Sequence, residues 1–274
     1  MIKRIGVHLD ASPRAAERLA LAQQLARRHA AEVTVLYGVL PALMATAWAV
    51  GEGMAAAATL LAELDEQQRR RARSVFEQAQ AAGSLHWEDG AEAPYWALHR
   101  LALTSDLLVL GQHDADDRLT GALPPDLVPA SIVDSGRPTL VVPAVGSYTA
   151  AGGPVLLAWK ASREAARAVS AALPWLRLAT AVHVAQRPED ARHEAAPDPA
   201  LARWLQLQGV QAPLRWHRLG DAEVGEGLLS LAAEVGAELL AMGCYGHSRA
   251  REWVLGGATR TVLRSMTLPV LMVH

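Results

Sequence analysis

The sequence contains almost no cysteine. Cys244 is the only one in 274 residues, which excludes an internal disulfide framework and favours a reducing compartment. Neither sign of charge is in excess, because 26 Lys and Arg residues are balanced by 28 Asp and Glu residues. Since the chain has no net basic character, its composition does not favour a nucleic acid or an acidic membrane as a partner.

Long apolar runs are also missing. The first residues, MIKRIGVHLDASPR, lack the apolar core and the cleavage pattern of a signal peptide. The most apolar stretch, residues 42–64, is interrupted by Gly51, Glu52 and Gly53 before it reaches the roughly 20 residues that a membrane span requires. We therefore expect a cytoplasmic protein without a membrane segment.

Several signatures of enzymes and metal sites are absent from the sequence. The ten His residues form neither an HExxH motif nor a cluster with cysteine, so a zinc site has no support. The sequence has no G-x-S-x-G elbow and no P-loop. A dinucleotide fold would place its glycines after the first strand, where HLDASPRAAE has none.

What the chain does contain is a repeat. Residues 85–111 align with residues 214–243 as strand, loop, helix and strand, and SGRPTLVVP matches SMTLPVLMVH further along. The starts of the two halves, KRIGVHLDASPR and GPVLLAWKASRE, match in the same way. The sequence therefore predicts two tandem domains, residues 1–146 and 152–274, with a joint near 143–154 whose Gly, Ser and Pro content suits a linker.

Each half alternates short apolar runs with helical stretches. In the first half the apolar runs are Ile5–Leu9, Glu32–Val39, Leu107–Leu110 and Thr139–Val142. Continuous apolar strands are typical of parallel sheets covered on both faces, so we expect an α/β fold with about five strands per half. Thr139–Val142 and Val270–Val273 would be exposed hydrophobic edges if left alone, and we expect the two domains to pair through them.

A glycine-rich stretch follows the apolar run Leu239–Met242. It contains Gly243, Gly246, Gly256 and Gly257. In parallel α/β sheets, ligands bind outside the carboxyl ends of the strands, and glycine lets a backbone come close to a ligand. The helix that is predicted to start at Gly257 would present free N–H groups that suit a phosphate. The stretch therefore predicts a ligand site in the second half.

The spacing G-x2-G-x9-G, followed by a helix and a last strand with Pro-Val, resembles the nucleotide-binding motif of the universal stress protein family. The resemblance covers nearly the whole chain, with one copy per half. It implies two tandem five-stranded parallel-sheet sandwiches of the adenine-nucleotide alpha-hydrolase-like type, with strand order 3-2-1-4-5. It also implies binding of ATP or a related adenine nucleotide, with or without Mg²⁺, and no established catalysis.

Carried over by position, the resemblance assigns contacts with the nucleotide mainly to the second half. Gly257 stands where the family has Ser or Thr, and Lys160 replaces the Asp that ends the first strand in the family. A lysine cannot accept the hydrogen bonds of a carboxylate, so its reach is toward phosphate. The candidate contacts are Gly243, Gly246, His247, Arg249, Gly256, Gly257, Thr259, Lys160 and Val184.

The first half departs further from the motif. It keeps Asp10 and Ser12 of the strand-end pattern, but Gly111 is its only matching loop glycine. Its loop also carries three carboxylates, which would repel a triphosphate: Asp114, Asp116 and Asp117. We expect no nucleotide in this half, and we interpret the acidic cluster as a solvated turn because it lacks the regular spacing of metal ligands.

The sequence thus predicts a stress-response regulatory protein in which a bound nucleotide biases a conformation or a partner. The motif contains no recognisable general base or pair of metal-binding carboxylates, which argues against an enzyme. Two alternatives stay open: a nucleotide-free interaction module, and a slow ATP hydrolase that depends on Arg249 or Thr259. The sequence also leaves open whether two chains form a homodimer.

Overall fold

The computed structural model describes residues 1–41, 54–80, 85–90, 93–114, 123–149, 152–187, 197–220, 223–245 and 257–274. The strands of these residues are β1 Arg4–Leu9, β2 Glu32–Tyr37, β3 Leu85–Asp89, β4 Leu107–Gly111, β5 Thr139–Val142, β6 Val155–Trp159, β7 Val182–Gln186, β8 Leu214–Arg218, β9 Leu239–Gly243 and β10 Val270–Val273. The helices are α1 Ala15–His29, α2 Met54–Gln80, α3 Pro94–Leu103, α4 Leu127–Ser135, α5 Arg163–Leu176, α6 Pro199–Leu207, α7 Val224–Glu234 and α8 Gly257–Ser265.

The chain divides into two compact units, Ile2–Ser135 and Gly136–His274. In the first unit the strands follow the order β3-β2-β1-β4, and all of them are parallel. The strand β2 ends at Tyr37, two residues before the predicted end at Val39. At that point the carbonyl of Gly38 accepts a hydrogen bond from the His8 side chain.

The second unit contains the order β5-β10-β9-β6-β7-β8. Its five strands from the second half are parallel and follow the predicted order 3-2-1-4-5. The α/β fold class and the strand order are therefore confirmed.

The fifth strand of the first half, β5, runs antiparallel to β10 within the second unit, with Leu140 opposite Leu271. The pairing that the apolar edges predict therefore forms. Each edge strand covers the exposed backbone groups of the other, and both strands are fully buried. The change from first unit to second lies between Ser135 and Gly136, just before β5 and ahead of the Gly-rich joint at 143–154.

Local sequence accounts for where several helices begin and end. The Ser162 hydroxyl accepts a hydrogen bond from the Ala165 N–H at the start of α5, as N-cap serines do. Asp198 caps α6 in the same way. The helix α1 places Arg27, Arg28 and His29 in its last turn, where positive charge complements the helix dipole. The caps at Ser162 and Asp198 fix helix starts that border the carboxyl edge of the sheet, which is described next.

Candidate functional site

Both halves bring two equivalent positions together at one edge of their sheet. In the first half, Asp10 directly follows β1, and Gly111 ends the neighbouring parallel strand β4. In the second half, Lys160 follows β6 and Gly243 ends the neighbouring strand β9. Ligands of parallel α/β proteins bind at the carboxyl edge. We call the surroundings of Asp10 and Gly111 the first-half site, and those of Lys160 and Gly243 the second-half site.

The first-half site is centred on a buried carboxylate. Asp10 is 1% exposed, and one of its oxygens, Oδ1, accepts three hydrogen bonds. The Ser12 N–H and hydroxyl donate to it at 3.0 and 2.5 Å, and Nη2 of Arg18 donates at 2.8 Å. Arg18 itself is 3% exposed. The Oδ1 atom of Asp10 is thus satisfied by groups of its own chain.

This environment sets the charge state of Asp10. Burial alone would raise the pKa of the carboxyl group, but Arg18, His8 and the two bonds from Ser12 outweigh burial and lower the pKa to about 2. The carboxylate is therefore ionised at all physiological pH values. A buried ionised carboxylate requires a partner of opposite charge, and Arg18 is that partner.

His8 lies beside this pair and is also buried. Its Nε2 is 2.7 Å from the carbonyl oxygen of Gly38. Because a carbonyl can only accept a hydrogen bond, Nε2 carries the proton and Nδ1 is the acceptor. Burial lowers the pKa of His8, Asp10 raises it, and Arg18 lowers it again, with a net shift downward. His8 is thus a neutral imidazole at neutral pH.

Gly111 faces the same guanidinium. A Cβ atom built on Gly111 would lie 1.9 Å from Nη1 of Arg18 and 3.1 Å from its Cζ. The absence of a side chain at Gly111 therefore makes room for Arg18. A small open cleft lies in front of Asp10 and Gly111. It is lined by His8, Asp10, Leu110, Gly111, Gln112, His113, Leu123, Pro124, Leu127 and Val128.

The second-half site is built from different residues at the matching positions. Lys160, where Asp10 stands in the first half, is exposed. The positions matching His8 and Arg18 hold Ala158 and Ala168, and Ala168 is fully buried. The second half therefore has neither a carboxylate nor a guanidinium at these matching positions, and its buried carboxylate is that of Glu164, paired with Arg163 at the start of α5.

Gly243 is required by helix packing. A Cβ atom on Gly243 would lie 2.5 Å from the carbonyl carbon of Glu164 and 2.6 Å from the Ala165 nitrogen. The first turn of α5 therefore rests directly on the glycine, and any larger residue would push the helix away. Gly243 has a structural reason to be glycine whether or not a ligand binds.

The start of α8 borders another helix start. Gly257, the first residue of α8, is exposed, and Thr259 in the same turn is buried. A Cβ atom on Gly257 would lie 3.5 Å from Oε1 of Glu223, which is ordinary van der Waals contact. The other Glu223 oxygen accepts a hydrogen bond from the Glu226 N–H at the start of α7. The positive end of α8 thus has a carboxylate beside it.

Tyr245 stands two residues beyond Gly243 and has an unusual backbone. Its φ angle is +60°, a left-handed conformation that non-glycine residues seldom adopt. Its ring lies edge-on to His274. Its hydroxyl oxygen is buried and has no hydrogen-bond partner among the described residues, and burial raises the pKa of this hydroxyl, so it stays protonated. A buried donor without an acceptor is costly and calls for an explanation.

The predicted contacts fall into three groups. Gly243, Lys160 and Gly257 lie at exposed or partly exposed positions, whereas Val184 and Thr259 are buried. The remaining predicted contacts, Gly246, His247, Arg249 and Gly256, lie outside the described residues. Two of the first-half carboxylates, Asp116 and Asp117, lie outside them as well.

Sequence reasoning missed four residues that shape the two sites: Arg18, His8, Glu223 and Tyr245. A comparison of the halves holds the signal for two of them, because Arg18 and His8 stand where the second half has alanine. Glu223 and Tyr245 have no such signal. Their importance comes from a helix contact and a backbone angle that only the fold provides.

Metal and membrane functions gain no support from the described ranges. Within them, no group of three or more His, Cys, Asp or Glu side chains is placed to hold a metal ion. The helices of the same ranges are too short or too polar to cross a bilayer.

Comparisons with known proteins agree with the fold. The model of the Universal stress protein family matches residues 1–123 and 153–274. The chain is similar to a universal stress protein from Archaeoglobus fulgidus DSM 4304, with 16% identity over 98% of this chain and 95% of that one and a TM-score of 0.71. It is also similar to a putative universal stress protein from Pseudomonas aeruginosa UCBPP-PA14, with 16% identity over 99% and 93% of the two chains and a TM-score of 0.57.

A universal stress protein determined in complex with cAMP matches 53% of this chain and 98% of its own, with 20% identity and a TM-score of 0.36. No protein of curated function matches the sequence.

The Asp10–Arg18 pair predicts an acid-sensitive contribution to stability. Since the pKa of Asp10 is lowered to about 2 in the folded chain, its contribution is complete above the unfolded value near 4 and is lost as the pH falls through 2. By pH 3, protonation of Asp10 lowers the free energy of unfolding by about 1 kcal/mol relative to pH 7. In urea titrations, the stability gap between wild type and Asp10→Asn should therefore narrow by that amount between pH 7 and pH 3.

The half-exposed pair of Arg69 and Asp89 supplies the control for this prediction. Asp89→Asn should cost less than about 1 kcal/mol throughout the range, because solvent screens exposed ion pairs. A gap for Asp10→Asn that stays constant between pH 7 and pH 3 would show that Asp10 is not held ionised by Arg18.

Proposed function

This chain belongs to the universal stress protein family, and from that premise we propose that its second half binds ATP or a related adenine nucleotide as a regulatory ligand. The observation that carries the proposal is the Tyr245 hydroxyl. It is buried, it has no partner among the described residues, and it stands where the glycine-rich stretch begins. A ligand acceptor would satisfy it.

The phosphate end of the ligand has two supports. The helix α8 begins at the exposed Gly257, and it precedes a strand parallel to β9, so its N-terminus lies at the carboxyl edge of the sheet. Free N–H groups and the helix dipole there favour an anion. Lys160 adds an exposed positive charge at the end of β6.

The nucleoside end is supported by what the second half lacks. Where the first half has the buried side chains of His8 and Arg18, the second half has Ala158 and Ala168. The face of Gly243 that corresponds to the guanidinium position is packed against the backbone of α5. A nucleoside at the end of β6 would therefore not have to separate an ion pair like that of Asp10 and Arg18.

Glu223 limits how much phosphate charge the site accepts. Its carboxylate lies next to Gly257, so it opposes an anion at the N-terminus of α8. Magnesium carried by the nucleotide would offset this repulsion, since Mg²⁺ at nucleotide sites uses one or two carboxylates together with the phosphates. The family resemblance to ATP binding is therefore compatible with Glu223 when magnesium accompanies the nucleotide.

Nucleotide content tests the proposal directly. Protein purified without added nucleotide and then denatured should release one adenine nucleotide per chain, or bind one equivalent of ATP with magnesium in calorimetry. Gly246→Trp should abolish this binding, because a bulky side chain would fill the glycine-rich stretch. If the supernatant contains no nucleotide and the titration with ATP produces no heat, the interaction module becomes the working account. Phosphate release in the same samples tests slow hydrolysis.

Replacement of Tyr245 by Phe separates a ligand contact from a structural role. Because the hydroxyl has no partner among the described residues, its removal should leave the free energy of unfolding unchanged or slightly raised. Nucleotide affinity should fall about three- to tenfold, the size of one neutral hydrogen bond. Urea titration and calorimetry of the same preparation measure both quantities.

Tyr148 is the matched control for this variant. Its single O–H is shared between the carbonyl oxygens of Val145 and Thr267 in the same unit, so Tyr148→Phe should lower stability without changing affinity. Equal nucleotide affinity in wild type and Tyr245→Phe would remove the observation on which the proposal depends.

The carboxylate of Glu223 should make the site discriminate between charged ATP and neutral adenosine. Without magnesium, Glu223→Gln should raise the affinity for ATP about fivefold, the effect of removing about 1 kcal/mol of repulsion, and it should change adenosine binding less than twofold. Raising the salt concentration should shrink the effect. Glu226→Gln, an exposed change in the same helix turn, serves as the control. Equal effects on ATP and adenosine would contradict placement of the phosphates at α8.

A further inference from the structure

The outer edge of β8 is uncovered. Among the strands that the structure describes, β8 pairs with β7 on one side and with no strand on the other. The Leu219 N–H donates to the carbonyl of Gln186 on the β7 side. Because successive residues of a strand turn their backbone groups to opposite sides, those of Leu214 and Trp216 point away from β7. They form no hydrogen bond with a described residue.

The charges of β8 are opposite to those of its counterpart in the first half. In the repeat, β8 (LRWHR) matches β3 (LHWED). The acids of β3 are paired inside the chain: Oε1 of Glu88 lies 3.3 Å from Nη2 of Arg4, and Oδ2 of Asp89 lies 3.4 Å from Nη1 of Arg69. Arg215 of β8 is exposed and forms no ion pair with a described residue. The edge of β8 therefore carries an uncompensated positive charge.

The positive charge extends over the surrounding segment. Residues 199–220 include three arginines and one histidine but no acidic residue. Arg203, on α6, donates to a neutral side-chain amide. In the neighbouring strand β7, burial, His217 and Arg215 all lower the pKa of His183, and no carboxylate raises it. An acidic group therefore meets a favourable electrostatic field along this edge.

The tryptophan of β8 has no ring partner among the described residues. Its counterpart in β3, Trp87, stacks on Tyr37 with 5.9 Å between ring centroids and lies edge-on to Phe76 at 5.2 Å. Trp216 makes no such contact within the described ranges and is partly exposed. Side chains alternate between the two faces of a strand. An incoming strand would therefore meet Arg215 on one face of the sheet and Trp216 on the other.

We propose that β8 is a docking edge, to which an acidic, extended segment of a partner protein adds as a further strand. The outward backbone groups of Leu214 and Trp216 supply affinity through ladder hydrogen bonds, and Arg215 selects carboxylates. This inference goes beyond nucleotide binding and does not depend on it.

The charge of β8 decides between occupants. A second copy of β8 would bring arginines close to arginines, and like charges on paired strands are unfavourable. The β3 edge of a second copy is acidic, but Glu88 and Asp89 already have partners in their own chain. A nucleic acid offers phosphates to the arginines but no peptide backbone that continues the sheet. An acidic extended segment satisfies both the charge and the backbone groups.

The test is a titration of the full chain with a fluorescent peptide of about seven alternating Glu and Val residues, followed by fluorescence anisotropy. In this peptide the Glu side chains can face Arg215 while the Val side chains face Trp216. We expect saturable binding that weakens as the salt concentration rises, and no binding of the matching Lys-Val peptide. Hydrogen-exchange mass spectrometry should show new protection in β8 and none in β3.

Two variants separate the charge from the backbone. Arg215→Glu should lower the affinity for the Glu-Val peptide about tenfold, because attraction becomes repulsion. Arg71→Glu, the same change at an exposed arginine of α2, should leave the affinity unchanged. Trp216→Pro should abolish binding and keep the hydrogen bonds to β7, because proline is tolerated on an edge strand where the N–H faces outward. Trp216→Val keeps the N–H and should lose no more than about fivefold.

A Glu-Val peptide methylated at every backbone nitrogen keeps its charge but cannot donate to the ladder. It decides the question even if Trp216→Pro does not fold, and equal affinity for the methylated and the parent peptide overturns the proposal. So does the absence of saturable binding, or protection that lies outside β8.

Two further measurements address the other occupants. Self-association of wild type in sedimentation velocity that Arg215→Glu abolishes would assign the edge to a second copy. Single-stranded DNA that displaces the peptide and still binds Trp216→Pro would assign it to a nucleic acid. Either result overturns the proposal, whereas monomeric wild type and a peptide that DNA does not displace support it.

Discussion

The buried carboxylate of Asp10 has to be neutralised, and the first half is arranged around that requirement. Arg18 reaches from α1 to supply the counter-charge, Ser12 donates two more hydrogen bonds to the same oxygen, and Gly111 stays without a side chain so that the guanidinium fits. The strand end, the helix and the neighbouring strand are coupled through one oxygen atom. A charge pair buried to this degree is hard to separate, because either partner left alone in the interior is strongly unfavourable.

The two halves fill the same edge of their sheets with different groups. Each must close the edge where two parallel strands end and a helix begins. The first half does so with side chains of opposite charge, whereas the second brings the backbone of α5 down onto Gly243 and keeps its charged residue, Lys160, in solvent. At this edge the described part of the second half combines an exposed cation, the exposed start of α8 and the unpaired hydroxyl of Tyr245. Duplication preserved the fold and let the chemistry of the two edges diverge.

The fold was largely predictable from the sequence, because it depends on patterns that extend over many residues. Apolar runs at regular spacing predicted the strands, and the resemblance to the universal stress protein family implied their order. The apolar character of β5 and β10 predicted that they pair. The sites were less predictable. The strand end at Asp10 was located correctly, but Arg18 lies eight residues further on and reaches Asp10 only because α1 turns back over the sheet. Glu223 is distant in sequence from Gly257, and the backbone angle of Tyr245 has no sequence signal.

Gly243 illustrates why a motif alone is weak evidence for a ligand. A glycine at the end of a strand is expected wherever a backbone must come close, but at Gly243 the approaching backbone is that of α5. The same residue would be needed in a chain that binds nothing. Tyr245 is different, because neither packing nor hydrogen bonding within the described ranges accounts for a buried hydroxyl on a left-handed residue. The evidence for a ligand in the second half therefore depends on a group that the fold leaves unsatisfied, more than on the glycines that the fold already requires.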